Sequence, residues 1–484
     1  MSFAKVAAKA LVWTSLESFA LSGLSLLSLL VFARLLSPTD FGVVAIALAI
    51  VQVLTVPVEL LFHDALIQRT DLTPVHVNSA FTASVLLGSV LCAGCWLFGG
   101  VVEHVMGEPH LGSVLRWMSF SLIGMGFGSV LVAVQRRNLQ FRSLALRSLV
   151  GRAGSAVIAI ALAFMGFGLW SLVVQQVLLV CLSTLMLWIL ADERPQFGLS
   201  WPSTRELLGF GVFSTLYQLF AILIQRVFMV LVGGYLGSQT VGIFSLAFRG
   251  LDMLRDLLAS AVAQIAMPLF SKLKDEYEQL CAAYDRSVQL TTLVTYPIFV
   301  GLSVCAEDVV SIAFGKNWTG AGPYFAVVAL LNLQFFLRMY TAPLLRAVGK
   351  PLVPSADVVT QVIAIAALMF WFGKQSIDYA MLAWAARLLI SSPVDFWMQK
   401  RFIGMSYRRQ LAGAALPLLA AAVMACVVLS LKSWLPSTLP PLLRLVPMGV
   451  LGAAVYLAVI VVFDRARFQE FLNFVGHSIA ARRG

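Results

Sequence analysis

Apolar runs of about twenty residues, long enough to cross a bilayer, follow one another along almost the whole chain. Each stops at a short polar turn. The first turn lies in "VFARLLSPTDFG", Val31 to Gly42: the run breaks at Arg34, turns through Ser37-Pro38-Thr39-Asp40 and is apolar again at Phe41. Only one architecture suits such a pattern, because lipid offers backbone N–H and C=O groups no partner outside a helix or a closed barrel, and runs of this length are helical. A water-soluble protein of 484 residues would also need more charge, since 60% of these residues are hydrophobic and only 12% charged. The sequence predicts an all-α membrane protein of about fourteen transmembrane helices, at roughly twenty residues per crossing.

The predicted spans are 11–33, 41–62, 79–102, 113–134, 148–167, 170–190, 208–232, 241–264, 288–313, 322–344, 355–372, 377–398, 412–431 and 442–463. Lys5 and Lys9 precede the first span. Its apolar stretch is too long for a cleaved signal peptide, and no Ala-x-Ala site lies in the turn that follows it. With the N-terminus in the cytoplasm, 23 of the 34 basic residues fall on the inner side, among them Arg69, the group from Arg136 to Arg152, Arg205, Lys272, Lys400, Arg409 and Arg483. The outer side holds Arg34, Arg116, Lys316, Lys374, Lys432 and Arg444. That bias obeys the positive-inside rule and predicts cytoplasmic termini. It also explains the net charge of +11 as topology, so nucleic-acid binding is not implied. Trp96, Trp188, Trp318, Trp371, Trp397 and Trp434 fall near span ends, as in an aromatic belt.

The chain also repeats itself. At an offset of 200, Leu36, Gly42 and Ala47 match Leu236, Gly242 and Ala247, and at an offset of 205 "AIALAFMGFG" (Ala159 to Gly168) lies over "AIAALMFWFG" (Ala364 to Gly373). The matches keep their order, which predicts two parallel six-helix lobes related by an axis along the membrane normal. The predicted division is an N-lobe at 1–200 (spans 1–6), a C-lobe at 201–403 (spans 7–12), and an additional helix pair with a cytoplasmic tail at 404–484. Two such lobes around a cavity are transporter architecture.

Several stretches resemble a known family. "ARLLSPTDFG", "ALIQRTDLTP" (Ala65 to Pro74), "QRRNLQFRSLALRSLV" (Gln135 to Val150) and "GFGLWSLVVQQ" (Gly166 to Gln176) look like the polysaccharide transporter or Wzx flippases. These belong to the multidrug/oligosaccharidyl-lipid/polysaccharide superfamily. The resemblance is densest over the first 200 residues. It departs at "ELLFHDALIQR", where Leu61, Phe62, His63 and Asp64 replace a small, Gly-containing stretch. It implies a MATE-like fold in the bacterial inner membrane. It also implies flipping of undecaprenyl-pyrophosphate-linked oligosaccharides for surface or exopolysaccharide biosynthesis, with a polymerase and chain-length proteins as pathway partners.

Away from the span ends, five arginines lie inside the predicted spans, all in the second lobe: Arg226, Arg249, Arg255, Arg338 and Arg387. Each costs about 2.5–3.5 kcal/mol at a helix centre on insertion scales, so each must face protein, water or a ligand. In the eighth span Ser245, Arg249, Asp252, Asp256 and Ser260 fall on one stripe, which predicts a hydrated cavity wall. Ser214, Gln218 and Gln225 share a face in the seventh span; Gln334, Arg338 and Thr341 do so in the tenth. Guanidinium offers a permanently charged fork to phosphate oxygens. The predicted pyrophosphate and glycan site is therefore Arg226, Arg249, Arg338 and Arg387 with Gln218, Gln225 and Gln334. The competing reading makes the arginines ion-pair partners that hold the bundle together. The embedded acids Glu17, Glu59, Asp252 and Asp256 can take up a proton, so they are the candidates for coupling to H⁺ or Na⁺.

No cofactor or catalytic residue is expected. Cys92 and Cys95 form a lone C-x-x-C inside a span, the five histidines are scattered, and neither a P-loop nor a G-x-S-x-G motif is present. A multidrug antiporter of the same superfamily is the nearest alternative, opposed by the extra helix pair and by arginines that repel cationic drugs. A membrane-embedded polysaccharide polymerase or ligase is the alternative from another class. It would need a long outer connection, which the spans leave no room for.

Overall fold

The computed structural model describes residues 21–350, 352–436 and 439–463. Among these residues there is no strand. The helices are α1 (Leu21–Leu35), α2 (Pro38–Leu60), α3 (His63–Gln68), α4 (Pro74–Met106), α5 (Leu111–Arg137), α6 (Phe141–Phe164), α7 (Leu169–Leu190), α8 (Trp201–Leu236) and α9 (Ser238–Lys272). They continue as α10 (Tyr277–Val304), α11 (Ala306–Phe314), α12 (Gly322–Arg338), α13 (Thr341–Ala347), α14 (Ser355–Phe372), α15 (Ile377–Ile403), α16 (Tyr407–Trp434) and α17 (Pro441–Phe463).

Every predicted span with described residues falls on one or two of these helices. The second breaks after Leu60 and resumes as α3, and the ninth and tenth each end in a short second helix. Eleven spans among the described residues are long and apolar enough to cross a membrane. Three of the fourteen predicted spans are outside that set. α1 is apolar but short over its described residues, while α9 and α15, at 35 and 27 residues, are long enough but carry charges along their length.

The helix starts are written locally. Ser37 Oγ accepts from the Asp40 N–H at 3.1 Å, the Asp40 carboxylate accepts from the Ser37 N–H, and Pro38 occupies the first turn. This is a capping box with proline where its missing N–H does no harm. "SPTD" is thus a helix start as much as a turn.

The chain separates into two compact units, one of Met1–Met253 with Gln361–Arg387 and the other of Leu254–Thr360 with Leu388–Gly484. In the first, α4 packs along α5, α6 along α7, and α2 against both α5 and α8. The N-terminal turns of α2 and α9 also cross reciprocally. A Cβ on Gly42 would overlap the Ser238 carbonyl, and one on Gly242 would overlap the Pro38 carbonyl. The Ser238 N–H is held by Glu108 Oε1 at 2.6 Å. The glycines that repeat at an offset of 200 are the two sides of this close approach.

In the second unit α16 packs on α10 and α17 on α16. Ion pairs clamp the ends of this group. Arg409 reaches Asp285 at 2.8 Å and Glu278 at 3.2 Å; Arg444 pairs with the buried Asp308, and Lys432 reaches Glu307 at 3.0 Å. The cavity of about 570 Å³ among α10, α16 and α17 is lined by Leu293, Pro297, Met424, Gly452, Tyr456 and other uncharged residues, so it offers nothing to an anion.

Candidate anion site in the membrane

Arg226 on α8 and Arg249 on α9 stand close enough for their charges to repel. Asp252, one helical turn beyond Arg249, attracts Arg226 and accepts a hydrogen bond from Gln225 Nε2 at 3.4 Å. Arg226 Nε is buried with no hydrogen-bond partner. Arg249 has neither a hydrogen bond nor a carboxylate partner among the described residues. Two like charges brought near each other on apolar helices are unfavourable unless an anion joins them.

Arg387 on α15 belongs to the same compact unit. It is 6% exposed, donates through Nη1 to Gln361 Oε1, and lies over the Trp384 ring 3.9 Å from its centroid. The aromatic face stabilises the cation without neutralising it. Trp384 in turn packs on Phe228 and Phe248, with ring centroids 4.7 and 5.0 Å away. Phe228 lies two residues beyond Arg226, and Phe248 immediately precedes Arg249. One aromatic cluster therefore joins the elements that carry three of the four predicted arginines.

Arg338 is placed differently. It belongs to the second unit and is enclosed by carboxylates: Nη2 pairs with Asp357, Nε lies 3.2 Å from Asp395 Oδ2, and Nη1 donates to Ser391 Oγ at 3.1 Å. Asp395, 4% exposed, also accepts from Thr341 Oγ1 at 2.9 Å, and Gln399 donates to the same hydroxyl at 2.8 Å. The predicted Gln334 serves a neighbouring contact, donating to Ser392 Oγ and to the Leu388 carbonyl. Arg338 thus meets the ion-pair description, with its fork already in use.

The remaining predicted residues scatter. Gln218 is exposed and Glu59 half-buried. Asp256 is exposed and binds its neighbour Arg255 at 3.0 Å, while Arg255 lies 4.7 Å over the Phe335 ring. Glu17 and the side chains of Ser214 and Ser260 lie outside the described residues. Ser245 corrects the stripe: at 3% exposed it faces protein, because the start of α9 is held against α2 and packs through Phe244 and Phe248. Exposure then rises along the helix through Arg249 and Asp252 to Asp256.

A sequence profile described as "Polysaccharide biosynthesis protein" matches residues 31–323. The chain belongs to this family. The succinoglycan biosynthesis transport protein ExoT of Rhizobium meliloti (strain 1021) is 26% identical over 474 residues, 97% of this chain and 96% of that one. The solved structure of the lipid II flippase MurJ in an inward closed conformation is similar with a TM-score of 0.76 at 15% identity, covering 95% of this chain and all of that one. An inward-facing multidrug resistance MATE family transporter is similar at 0.58 and 14% identity, covering 86% of this chain and 98% of that one. At these identities the likeness is one of fold: an all-helical, multi-pass membrane protein of MurJ and MATE-like architecture.

The motifs that carry the family resemblance hold one end of the first unit together. Arg137 donates to the carbonyls of Leu66, Ile67 and Arg69, closing α3, and Arg136 Nη1 lies 3.1 Å from Nε2 of the buried His63. Arg69 pairs with Asp71 at 3.1 Å and Glu206 at 2.8 Å, and its guanidinium holds both carboxyl groups below the usual carboxylate range. His63, where the sequence departs from the family pattern, is thus an acceptor for a motif arginine.

Sequence reasoning missed Asp357, Asp395, Gln361 and Trp384. A signal was available. Arg387, Ser391, Asp395 and Gln399 recur every four residues along α15, which sets them on one slowly turning stripe.

Proposed function

We propose that this protein flips undecaprenyl-pyrophosphate-linked oligosaccharide repeat units across the bacterial inner membrane for surface or exopolysaccharide biosynthesis. The observation that carries the reading is the Arg226–Arg249 pair: two neighbouring cations on α8 and α9, one of them without a partner of opposite charge among the described residues. A pyrophosphate supplies the missing charge and enough oxygens to occupy both forks. Arg387, braced by Gln361 and Trp384, adds a third cation to the same unit. Gln218 and Gln225 then serve the glycan or the pyrophosphate edge, and polymerase and chain-length proteins take up the product. The lobes at 1–200 and 201–403 alternate access to this site, with the helix pair at 404–484 alongside. Asp252 is the best placed of the acids for H⁺ or Na⁺ coupling, since it borders the arginine pair. A multidrug antiporter fits less well, because an arginine pair of this kind repels cations.

Polymer export in a deletion strain, followed with membrane abundance, tests the proposal. Variants Arg226→Ala and Arg249→Ala should be abundant in the membrane but defective in export. Normal export by both would reject the site. Orientation is checked separately by cysteine labelling: Thr39 and Gln239, both exposed, should react from outside and Arg142 only from inside.

A further inference from the structure

Arg152 stands with the inner-loop arginines when the sequence is read alone. In the fold it is the twelfth of the 24 residues of α6, a helix long and apolar enough to cross the membrane. The predicted span starts at Ser148, so Arg152 is its fifth residue and lies about 6 Å into it at 1.5 Å per residue. The side chain is half-buried, and Nη1 donates to Ser25 Oγ on α1. Ser25 has spent its own proton on the Leu21 carbonyl at 2.6 Å, so it acts toward Arg152 as an acceptor and takes one of five N–H donors. No carboxylate and no other hydrogen bond reaches Arg152 among the described residues. Ser25 therefore orients the guanidinium without neutralising it. Arg338 shows what a structural arginine in a spanning helix looks like here, enclosed by two carboxylates.

We infer that Arg152 is a further anion contact for the pyrophosphate of the transported lipid, contributed by the first six-helix repeat and positioned by Ser25. The inference rests on the flippase reading and adds to it a contact from the opposite repeat. A cation in each repeat lets the same anion be held while access changes sides, whereas arginines confined to one repeat would leave the other with no grip on it.

The test uses the full chain purified in detergent and titrated with undecaprenyl pyrophosphate, with undecaprenol as the uncharged comparison. Binding is read from the shift in thermal unfolding midpoint with ligand concentration. Wild type should bind the pyrophosphate in preference to the alcohol. Arg152→Gln should weaken that binding by about ten-fold or more, the scale of one charge-assisted contact, and Arg152→Lys should recover part of it. Ser25→Asp gives Arg152 a carboxylate, keeps the tie between α1 and α6, and should raise the unliganded midpoint while weakening pyrophosphate binding. It decides the matter even if Arg152→Gln does not fold. Wild-type affinity in Ser25→Asp, or in a folded Arg152→Gln, would overturn the inference. If Arg249→Ala loses binding while those two keep it, only the Arg152 assignment falls. If wild type does not distinguish pyrophosphate from alcohol, the flippase reading falls with it.

Discussion

Arg249 and Arg338 are the same residue type inside predicted spans, and their surroundings are opposite. Arg338 is enclosed by Asp357, Asp395 and Ser391. Arg249 has another arginine for a neighbour and no carboxylate partner among the described residues. A buried ion pair is weak evidence for stability as such, but breaking it leaves an uncompensated charge in low dielectric. An arginine without a partner gives the fold nothing to lose and a ligand something to find. The contrast separates cations that hold the bundle from cations that wait for an anion.

The largest expected effect follows from the first kind. Arg338→Ala should destabilise by about 3–5 kcal/mol, read as a lowered unfolding midpoint and reduced membrane abundance. Arg338→Ala combined with Asp395→Ala should recover part of that loss. An abundant but export-dead Arg338→Ala would move Arg338 into the binding group and dissolve the contrast.

Next is the second kind. Arg249→Ala should weaken pyrophosphate binding by about 1.5–3 kcal/mol, one to two decades in affinity, with an unfolding midpoint no lower than wild type. Arg249→Lys should restore only part, since ammonium lacks the fork. Loss of the folded protein on removing Arg249 would show a structural role instead.

A stability loss with no charge involved calibrates both. Gly242→Ala drives a methyl into the Pro38 carbonyl and should cost about 1–3 kcal/mol in the same melting assay. Gly23→Ala on α1 meets nothing within 4 Å and should leave the midpoint nearly unchanged or slightly raised. Equal midpoints for the two variants would mean the α2–α9 crossing yields more readily than its geometry implies.

The smallest effect belongs to an arginine at the surface. Arg69 holds the carboxyls of Asp71 and Glu206 low, so the stabilisation is present above their ordinary values and is lost as pH falls through the lower, folded-state ones. Glu206→Gln should therefore lie slightly below wild type in unfolding midpoint at pH 7, with the gap closing below about pH 4. A gap unchanged at pH 3 would show that the pair contributes nothing.

Much of the fold was legible because the relevant physics is local. Transfer of about twenty apolar residues into lipid depends on the residues themselves, so Gly322–Arg338 and Ser355–Phe372 begin where the hydropathy pattern starts them. The capping box at Ser37 and Asp40 is written within four residues. The candidate site was legible only as a list. Arg226, Arg249, Arg338 and Arg387 look alike in sequence, and Arg152, at the start of its predicted span, was counted with the inner-side charges clustered at Arg136, Arg137, Arg142 and Arg147.

The sequence by itself determined that this chain is a bundle of membrane helices, that two of its helix starts are repeats of each other, and that arginines enter the bilayer. Hydropathy, capping and periodicity act within a turn or a span, so each is complete without knowledge of any neighbour. Only the tertiary structure decided which arginine has a counter-charge. The carboxylates of Arg338 lie 19 and 57 positions away, and the serine that Arg152 donates to lies 127 positions away. Whether such groups meet depends on the rotation and depth of whole helices, which close packing sets and no local pattern records.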